Sequence, residues 1–167
     1  MTTKTVAKTV AKIKKQYKTR DPFEICDSAG IYYDFKDLGG LKGLLIYYRG
    51  IYLLGVNESL DERLSASVCA HELGHFFLHG DLVKSQSFSE YIVYQNTNRY
   101  EFEANMFCAE LLIDDSDILE LFNRGYTAEQ ASYALGRDIN LIGLKAECLR
   151  ERGYALRGLD IKANFLR

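Results

Sequence analysis

Two histidines with a glutamate between them form the part of the chain best suited to chemistry. The stretch reads His71-Glu72-Leu73-Gly74-His75, and residues four apart lie almost above one another on an α-helix. Both imidazoles can therefore face one point, where they could bind a metal ion. Zn²⁺ binds N and O ligands at about 2.0–2.2 Å, and a catalytic zinc site leaves one coordination position for water. Glu72 is placed to take a proton from that water. The alternative is a helix that carries two histidines by chance and binds no metal.

The helix predicted to hold this motif has the histidines on its apolar side. Ser59 and Glu62 have the spacing of a capping box, which predicts a helix start near Leu60. Gly80 is predicted to end the helix. Buried imidazoles without a partner would be costly, which favours a bound metal. One helical stripe runs through the segment, first apolar and then occupied by the histidines: Leu60, Leu64, Val68, His71, His75 and Leu78.

A second predicted helix, at residues 98–113, carries three glutamates that could complete the site. At about 100° per residue, Glu101 shares a face with small and apolar residues and with Asn105. We therefore predict Glu101 as the third metal ligand. Asn105 is expected to hydrogen-bond a ligand histidine. Glu103 and Glu110 fall on the opposite face and are predicted to be solvated.

His79 follows His75 by four residues but does not fit a third-ligand role. The metzincin pattern places Gly three residues and His six residues after the second histidine, where this chain has Leu78 and Asp81. The helix also turns by about 40° over four residues, which carries His79 away from the shared point. We expect His79 to be a structural histidine, or one that contacts a metal ligand, at the helix end, where its proton would interact well with the helix dipole.

The segments at residues 71–79 and 101–112 together resemble the ImmA/IrrE metallopeptidases, which are small gluzincin-like zinc proteases. The resemblance extends to residues 17–25 and 41–45. It implies that His71, His75 and Glu101 bind zinc and that Glu72 is the catalytic acid/base. It also implies a helix-turn-helix repressor as substrate, often from a prophage, a mobile element or a stress regulon. Asp114 stands where the family often has Pro, which should alter a helix end and leave the chemistry unchanged.

The composition is that of an ordinary globular protein of one domain. The chain has 167 residues, 47% of them hydrophobic and 26% charged, with a net charge of −2. This charge argues against general nucleic-acid binding. Residues 1–20 hold seven cations and no acidic side chain. They could capture an acidic partner, but the solvated face of a surface helix is the favoured interpretation.

Cysteine usage and hydropathy point to the cytoplasm. The four cysteines form no Cys-x-x-Cys pair and are expected to be buried, reduced thiols. No apolar run approaches the roughly 18 residues of a membrane span, and the N-terminus lacks the apolar segment of a signal peptide. We therefore expect a cytoplasmic protein without a membrane anchor. The cysteines are Cys26, Cys69, Cys108 and Cys148.

The remaining pattern predicts an α+β fold. The apolar residues Val6, Val10, Ile13 and Tyr17 predict an amphipathic first helix. Asp21-Pro22 should start a short helix. Strands are predicted at residues 31–36, 43–49 and 51–56, the last two as a hairpin. We expect a small three-stranded antiparallel sheet packed on the two site helices, which together form a minimal zincin-like core at residues 1–113.

Residues 114–167 are predicted to form a C-terminal helical cap that resembles a helix-turn-helix. Ser116 should start its first helix, and Thr127 with Gln130 forms a capping box for its second. A third helix is expected at residues 141–152. The numbers of basic and acidic side chains on this helix nearly balance, and such a helix binds the phosphates of DNA poorly. We therefore favour packing on the core over DNA binding. These side chains are Lys145, Glu147, Arg150, Glu151 and Arg152.

The connection between the two site helices is long enough to indicate a functional segment. Tyr91, Tyr94 and Tyr100 lie in or beside it. Any of them could stabilise an oxyanion, although simple aromatic packing is the favoured interpretation of each.

Two functional hypotheses follow. The leading one is a zinc-dependent endopeptidase that hydrolyses a peptide bond in a protein substrate. The alternative is a non-proteolytic regulatory or toxin–antitoxin protein, in which a structural metal site supports binding of a partner protein or DNA. Glu72 favours the first hypothesis, because a structural metal site needs no base.

Overall fold

The computed structural model describes residues 1–85 and 98–156. The chain begins with two helices, α1 (Thr3–Tyr17) and α2 (Pro22–Ala29). Helix α1 buries Val6, Val10 and Ile13, as predicted. The carboxylate of Asp21 accepts hydrogen bonds from the first backbone amides of α2, which confirms the predicted cap.

Three strands follow and form one sheet: β1 (Tyr32–Lys36), β2 (Gly43–Tyr48) and β3 (Ile51–Asn57). Strands β2 and β3 pair as the predicted antiparallel hairpin. The expectation of a wholly antiparallel sheet is wrong, because the strand order is β1-β3-β2 and β1 runs parallel to β3.

The connection from β1 to β2 explains this parallel pairing. It passes the end of β3, where the side-chain amide of Asn57 donates to the carbonyl oxygens of Gly39 at 3.2 Å and Leu41 at 2.8 Å. The chain therefore enters β2 on the far side of β3. Strand direction alternates along the hairpin as expected, but β3 lies in the middle and β2 lies at one edge.

The two site helices pack against each other, and the first of them also packs against the sheet. Helix α3 (Glu62–Ser85) continues through a kink at His79, and α4 spans Asn98–Leu112. The predicted capping box is wrong: the backbone amide of Leu64 donates to Asp61 at 2.8 Å, and the Ser59 hydroxyl donates to Asn57. Helical backbone is interrupted at His79, one residue before the predicted end at Gly80, and then resumes as far as Ser85.

Three further helices complete the described residues: α5 (Asp115–Asn123), α6 (Ala128–Leu135) and α7 (Ile139–Glu151). The capping box of Thr127 and Gln130 is present. The N-cap of α5 is Asp114, in place of the predicted Ser116. Helix α7 packs on α4 and α1, and its apolar residues join the same core as those of the sheet and α3. The domain boundary at residue 113 stays a prediction.

The four cysteines are free and buried, as expected. Cys26 and Cys69 lie with their sulfur atoms 3.6 Å apart in the core between α2 and α3. Within the described ranges, no helix is long and apolar enough to cross a membrane.

Candidate metal centre

Helix α3 presents His71 and His75 to one point, as their spacing predicted. Their Nε2 atoms lie 3.1 Å apart. The side chain of His75 is buried and that of His71 is partly exposed. Both rings therefore direct their outer nitrogen atoms toward a common position beside the helix.

Helix α4 brings a carboxylate to the same position. The Oε2 atom of Glu101 lies 3.2 Å from Nε2 of His71, and its Oε1 atom lies 3.3 Å from Nε2 of His75. One possible ligand atom from each residue falls within 4.8 Å of the others. Two imidazole nitrogens and one carboxylate oxygen form the donor set of many catalytic zinc sites. The structure thus brings together the three predicted ligands; their role as ligands stays a prediction.

Neighbouring groups in this cluster shift the pKa values of Glu101 and His71. Burial alone would raise the pKa of Glu101, but hydrogen bonds from His71 and His75 outweigh it and lower this pKa to about 2. Burial alone would lower the pKa of His71, but the hydrogen bond to Glu101 and the charge of Glu72 raise it. The cluster therefore combines the Glu101 carboxylate, which stays ionised, with the His71 imidazole, whose protonated form is favoured by nearby negative charge; a bound cation would take the place of that proton beside the carboxylate.

Asn105 holds the ring of His71 in place, as predicted. The Nδ1 atom of His71 lies 2.9 Å from Oδ1 of Asn105, one turn after Glu101 on α4. The amide oxygen can only accept, so Nδ1 carries the proton. In the neutral ring this tautomer leaves the lone pair of Nε2 directed at the shared position, so a metal that displaces the Nε2 proton would find the nitrogen already oriented.

Glu72 lies beside the cluster and lines a cleft. Its side chain is 4% exposed. A Cβ atom at Gly43 would lie 3.1 Å from Oε1 of Glu72, so the carboxylate rests against the start of strand β2. The same Cβ atom would lie 2.3 Å from the side chain of Val68. Only glycine therefore lets β2 approach α3 closely enough to confine Glu72 beside the histidines.

The cleft has a volume of about 780 Å³ and extends well beyond the cluster. One side is formed by residues 40–43 at the start of β2, and the other by the link between α6 and α7 together with the start of α7. Helices α3 and α4 form its floor. Its lining from these helices and from α7 includes His71, Glu72, Glu101, Leu64, Cys108 and Leu141.

Two glutamates that were predicted to be solvated are buried. Glu103 contacts the amino group of Met1, Arg99 at 3.0 Å and His79 at 3.5 Å. Glu110 contacts Lys145 at 2.7 Å and Arg152 at 3.0 Å. The prediction is wrong because α1 and α7 cover the face of α4 opposite Glu101, which therefore does not meet solvent. No local signal in α4 revealed these neighbours.

His79 is buried at the kink of α3, in surroundings that differ from the predicted ones. It sits at the kink of α3, with φ −132° and ψ 22°, and its ring packs edge-on against Tyr100 with centroids 4.8 Å apart. Burial and the nearby His75 lower its pKa, so a protonated ring interacting with a helix dipole does not describe it. Tyr100 contacts this ring and does not line the cleft. Tyr91 and Tyr94 lie outside the described residues.

Comparison with known proteins agrees with this geometry. A family model described as the IrrE N-terminal-like domain, Peptidase M78, matches residues 26–141. The chain is 33% identical over 135 residues to Metallopeptidase ImmA of Bacillus subtilis (strain 168), covering 77% of this chain and 76% of that protein. It is 28% identical over 137 residues to Uncharacterized immunity region protein 2 of Bacillus phage phi105, covering 81% and 85% respectively. The residues matched by the family model include the whole candidate centre.

Proposed function

The chain belongs to the IrrE N-terminal-like family of metallopeptidases, and we propose that it is a zinc-dependent endopeptidase that hydrolyses a peptide bond in a protein substrate. The observation that carries this proposal is the convergence of three ligand atoms from His71, His75 and Glu101 within 4.8 Å, beside a cleft that also contains Glu72.

The donor atoms suit a catalytic zinc ion. His71, His75 and Glu101 would hold Zn²⁺ through two nitrogens and one oxygen, which leaves the fourth position for solvent or substrate. When bound there, Zn²⁺ would polarise the scissile carbonyl and lower the pKa of a water molecule toward about 7. Asn105 keeps His71 in the tautomer that can bind the ion.

Glu72 is assigned the proton transfers. Its carboxylate lines the cleft beside His71 and is shielded from bulk solvent. It takes the proton of the attacking water and then delivers it to the nitrogen of the leaving amine. The backbone of β2 confines this carboxylate, so it changes its hydrogen-bond partner without a large movement.

Strand β2 offers a binding surface for an extended substrate. It lies at an edge of the sheet, and residues 40–43 line the cleft at its start. An extended peptide can add to such an edge through backbone hydrogen bonds while its side chains enter pockets of the cleft. This arrangement would place a peptide bond of the substrate across the candidate centre, between Glu72 and the proposed ligands.

The proposed substrate is a helix-turn-helix repressor of a prophage, mobile element or stress regulon, and cleavage would induce the genes that the repressor silences. Support comes from the similarity to Metallopeptidase ImmA and to an immunity region protein of a phage. We place this activity in the cytoplasm, where such a repressor meets DNA. Helix α7 packs on α4 and α1, which supports a C-terminal cap that shapes the cleft.

The test separates metal binding from cleavage. We expect the Glu72→Gln variant to bind about one zinc per chain, like the unaltered protein, because the proposed ligands are intact. Cleavage of the repressor encoded beside the gene should fall by at least 10²–10⁴-fold, the usual contribution of a general acid–base. Zinc is measured by atomic emission, and cleavage by gel electrophoresis with mass spectrometry of the fragments. Glu129→Gln, on the exposed surface of α6, is the matched control and should cleave normally.

An active Glu72→Gln protein would remove Glu72 as the base. A zinc-loaded, unaltered protein that cuts none of the candidate repressors would favour the alternative, a regulatory or toxin–antitoxin protein with a structural metal site.

A further inference from the structure

Helices α3 and α7 both line the cleft but do not pack extensively on each other. Among the described residues, α7 packs instead on α4 and α1. Helix α4 continues the floor between α3 and α7, because Cys108 lines the cleft and its thiol donates to the carbonyl oxygen of Ser67 on α3 at 3.4 Å. The cleft therefore extends from the candidate centre into a space that α7 borders.

This space is lined by apolar side chains from three helices. The floor has Leu64 and Val68 of α3 and Cys108 of α4, and the side has Leu141 and Leu144 of α7. The two leucines of α7 are three residues apart and so share one face of that helix. Three of the five residues are buried, whereas Leu64 is 37% exposed and Leu141 is partly exposed. Apolar surface thus remains open to the cleft, as in sites that bind an apolar group.

The polar groups of this space do not favour a charged occupant. The carboxylate of Asp138 accepts a hydrogen bond from the backbone amide of Asn140 at 2.8 Å and caps α7. Burial raises the pKa of Cys108 to about 12, so its thiol is neutral near pH 7 and acts as a small apolar group. Lys42 lines the opposite side of the cleft, where it is exposed. The space beside α7 therefore suits a neutral, apolar side chain.

The apolar space begins within one helical turn of the candidate centre. Val68 and Leu64 precede His71 by three and seven residues on α3, which correspond to about 5 and 10 Å along the helix axis. Side chains on the same side of an extended peptide are about 7 Å apart. When a peptide bond lies at the centre, the side chain of the first or second residue beside it therefore reaches this space.

We propose that Leu141 and Leu144 of α7, together with Leu64, form a pocket that binds a large apolar side chain of the substrate, one or two residues from the bond that is cleaved. Helix α7 thereby determines the size of side chain that the peptidase accepts. This inference rests on the proposed function, since it assigns a substrate preference to the same cleft. The pocket acts on binding of the substrate and takes no part in the proton transfers at Glu72.

The experiment profiles cleavage of a library of peptides made from a digested bacterial proteome. The zinc-loaded protein cuts the library, and mass spectrometry aligns the products on their cleaved bonds. We expect leucine, methionine and phenylalanine to be enriched at one position within two residues of the cut. For one cleaved peptide and its analogue with alanine at that position, kcat/KM should differ at least about tenfold.

Variants that change the size of the pocket should change the preferred side chain. Leu141→Trp fills the pocket from α7 and should shift the enrichment to alanine and other small residues. Leu141→Ala enlarges the pocket and should shift the enrichment to tyrosine and tryptophan. A merely structural leucine would not produce opposite shifts, because its loss would affect all peptides alike. Leu64→Trp fills the pocket from α3 at a position that is 37% exposed, so the core is unaltered, and it should repeat the shift to small residues.

Ile139→Trp is the matched control on α7. It adds the same side chain two residues before Leu141, which places it about 200° around the helix. Ile139 is 40% exposed and is not among the residues that line the cleft. This variant should keep the preference of the unaltered protein. The zinc content and melting temperature of every variant confirm that the centre and the fold remain intact.

Each outcome addresses a different claim. Cleavage without apolar enrichment, or enrichment that stays unchanged in Leu141→Trp and Leu64→Trp, overturns the pocket and leaves the proposed peptidase standing. The same shift in Ile139→Trp as in Leu141→Trp also overturns the pocket. Absence of cleavage by the zinc-loaded, unaltered protein overturns the proposed peptidase, and the pocket falls with it.

Discussion

Two glutamates on one turn of α4 face different neighbours. Glu101 faces two imidazoles, and its pKa is lowered to about 2. Glu103 faces the amino group of Met1, Arg99 and His79, and its side chain is only 4% exposed. A position two residues further along a helix is rotated by about 200°, so the two carboxylates cannot share a site.

This difference gives a matched pair of variants. We expect Glu101→Gln to weaken zinc binding by more than about 100-fold, because loss of a hydrogen bond to a ligand alone costs about 10–100-fold. Glu103→Gln should keep zinc affinity and lose only stability, because its neighbours are structural. Competition with a chromogenic chelator measures both affinities. Equal loss of zinc in the two variants would contradict the assignment of Glu101 as a ligand.

At the scale of elements, the distance between α3 and α4 determines whether Glu101 reaches the histidines. Gly74 lies between His71 and His75 on the face that meets α4. A Cβ atom there would lie 2.9 Å from the Cα atom of Ala104 and 3.1 Å from its carbonyl oxygen. The added atom would meet backbone, which leaves no room for adjustment, so the small residues at both positions set the spacing of the two helices.

We therefore expect Gly74→Ala to push α4 away from α3. Overpacking should destabilise the protein by about 1–3 kcal/mol, and zinc affinity should fall because Glu101 moves with α4. Urea unfolding and chelator competition report the two effects. Gly80→Ala is the control in the same helix: its Cβ atom would meet only the Tyr52 hydroxyl at 3.5 Å, an ordinary contact. Unchanged zinc affinity in Gly74→Ala would show that the close approach does not position the ligands.

At the scale of the whole molecule, a buried ionic network connects α4 to the C-terminal helices. Lys145 is 1% exposed and contacts Glu110 at 2.7 Å and Asp115 at 2.6 Å. Arg152 contacts the same two carboxylates at 3.0 Å and 2.8 Å. The network joins α4, α5 and α7, so it fixes α7, which forms part of one wall of the cleft, relative to the helix that supplies Glu101.

Removing one charged residue of this buried network should destabilise the protein much more than breaking an ion pair on the surface. We expect Lys145→Met to lower the free energy of unfolding by about 3 kcal/mol, near the lower end for a broken buried pair because Arg152 still contacts both acids. Arg124→Gln, which breaks an exposed pair with Glu120, should cost about 0.5 kcal/mol or less. Urea unfolding monitored by circular dichroism measures both variants. If Lys145→Met lowered the free energy of unfolding as little as Arg124→Gln, the buried network would contribute little to stability.

The same network makes stability depend on acidic pH. Burial alone would raise the pKa of Asp115, but hydrogen bonds from Arg152 and Lys145 outweigh it and lower this pKa. The folded-state pKa therefore lies below the unfolded value of about 3.9. The stabilisation is fully present above a pH of about 4 and is lost as the pH falls through the folded-state pKa.

We expect Asp115→Asn to flatten the dependence of unfolding free energy on pH below about pH 4, because the variant has no carboxyl to protonate at this position. Urea unfolding in buffers from about pH 2.5 to 6 provides the measurement. The exposed Asp117 on the same helix offers the control Asp117→Asn, which should leave the slope unchanged. An identical slope in Asp115→Asn and the unaltered protein would disprove this role.

Local patterns in the sequence determined the elements and most of the centre. The spacing of His71 and His75 predicted that both imidazoles lie on one face of their helix. The position of Glu101 on its own helix distinguished it from Glu103 and Glu110 as the glutamate that meets them. The caps at Asp21 and Thr127 and the hairpin at Arg49-Gly50 followed from residues adjacent in the chain. These features depend on helix and turn geometry, which a few neighbouring residues specify.

Only the tertiary structure decided which partners meet across the chain. The parallel pairing of β1 with β3, the burial of Glu103 and Glu110, and the contact of Arg63 with Gly136 all join distant segments. The periodicity of a helix or strand identifies a face that avoids water, but it does not tell which element covers the opposite face. A charged residue can be buried wherever another segment supplies its counter-charge, and that supply depends on how the elements pack.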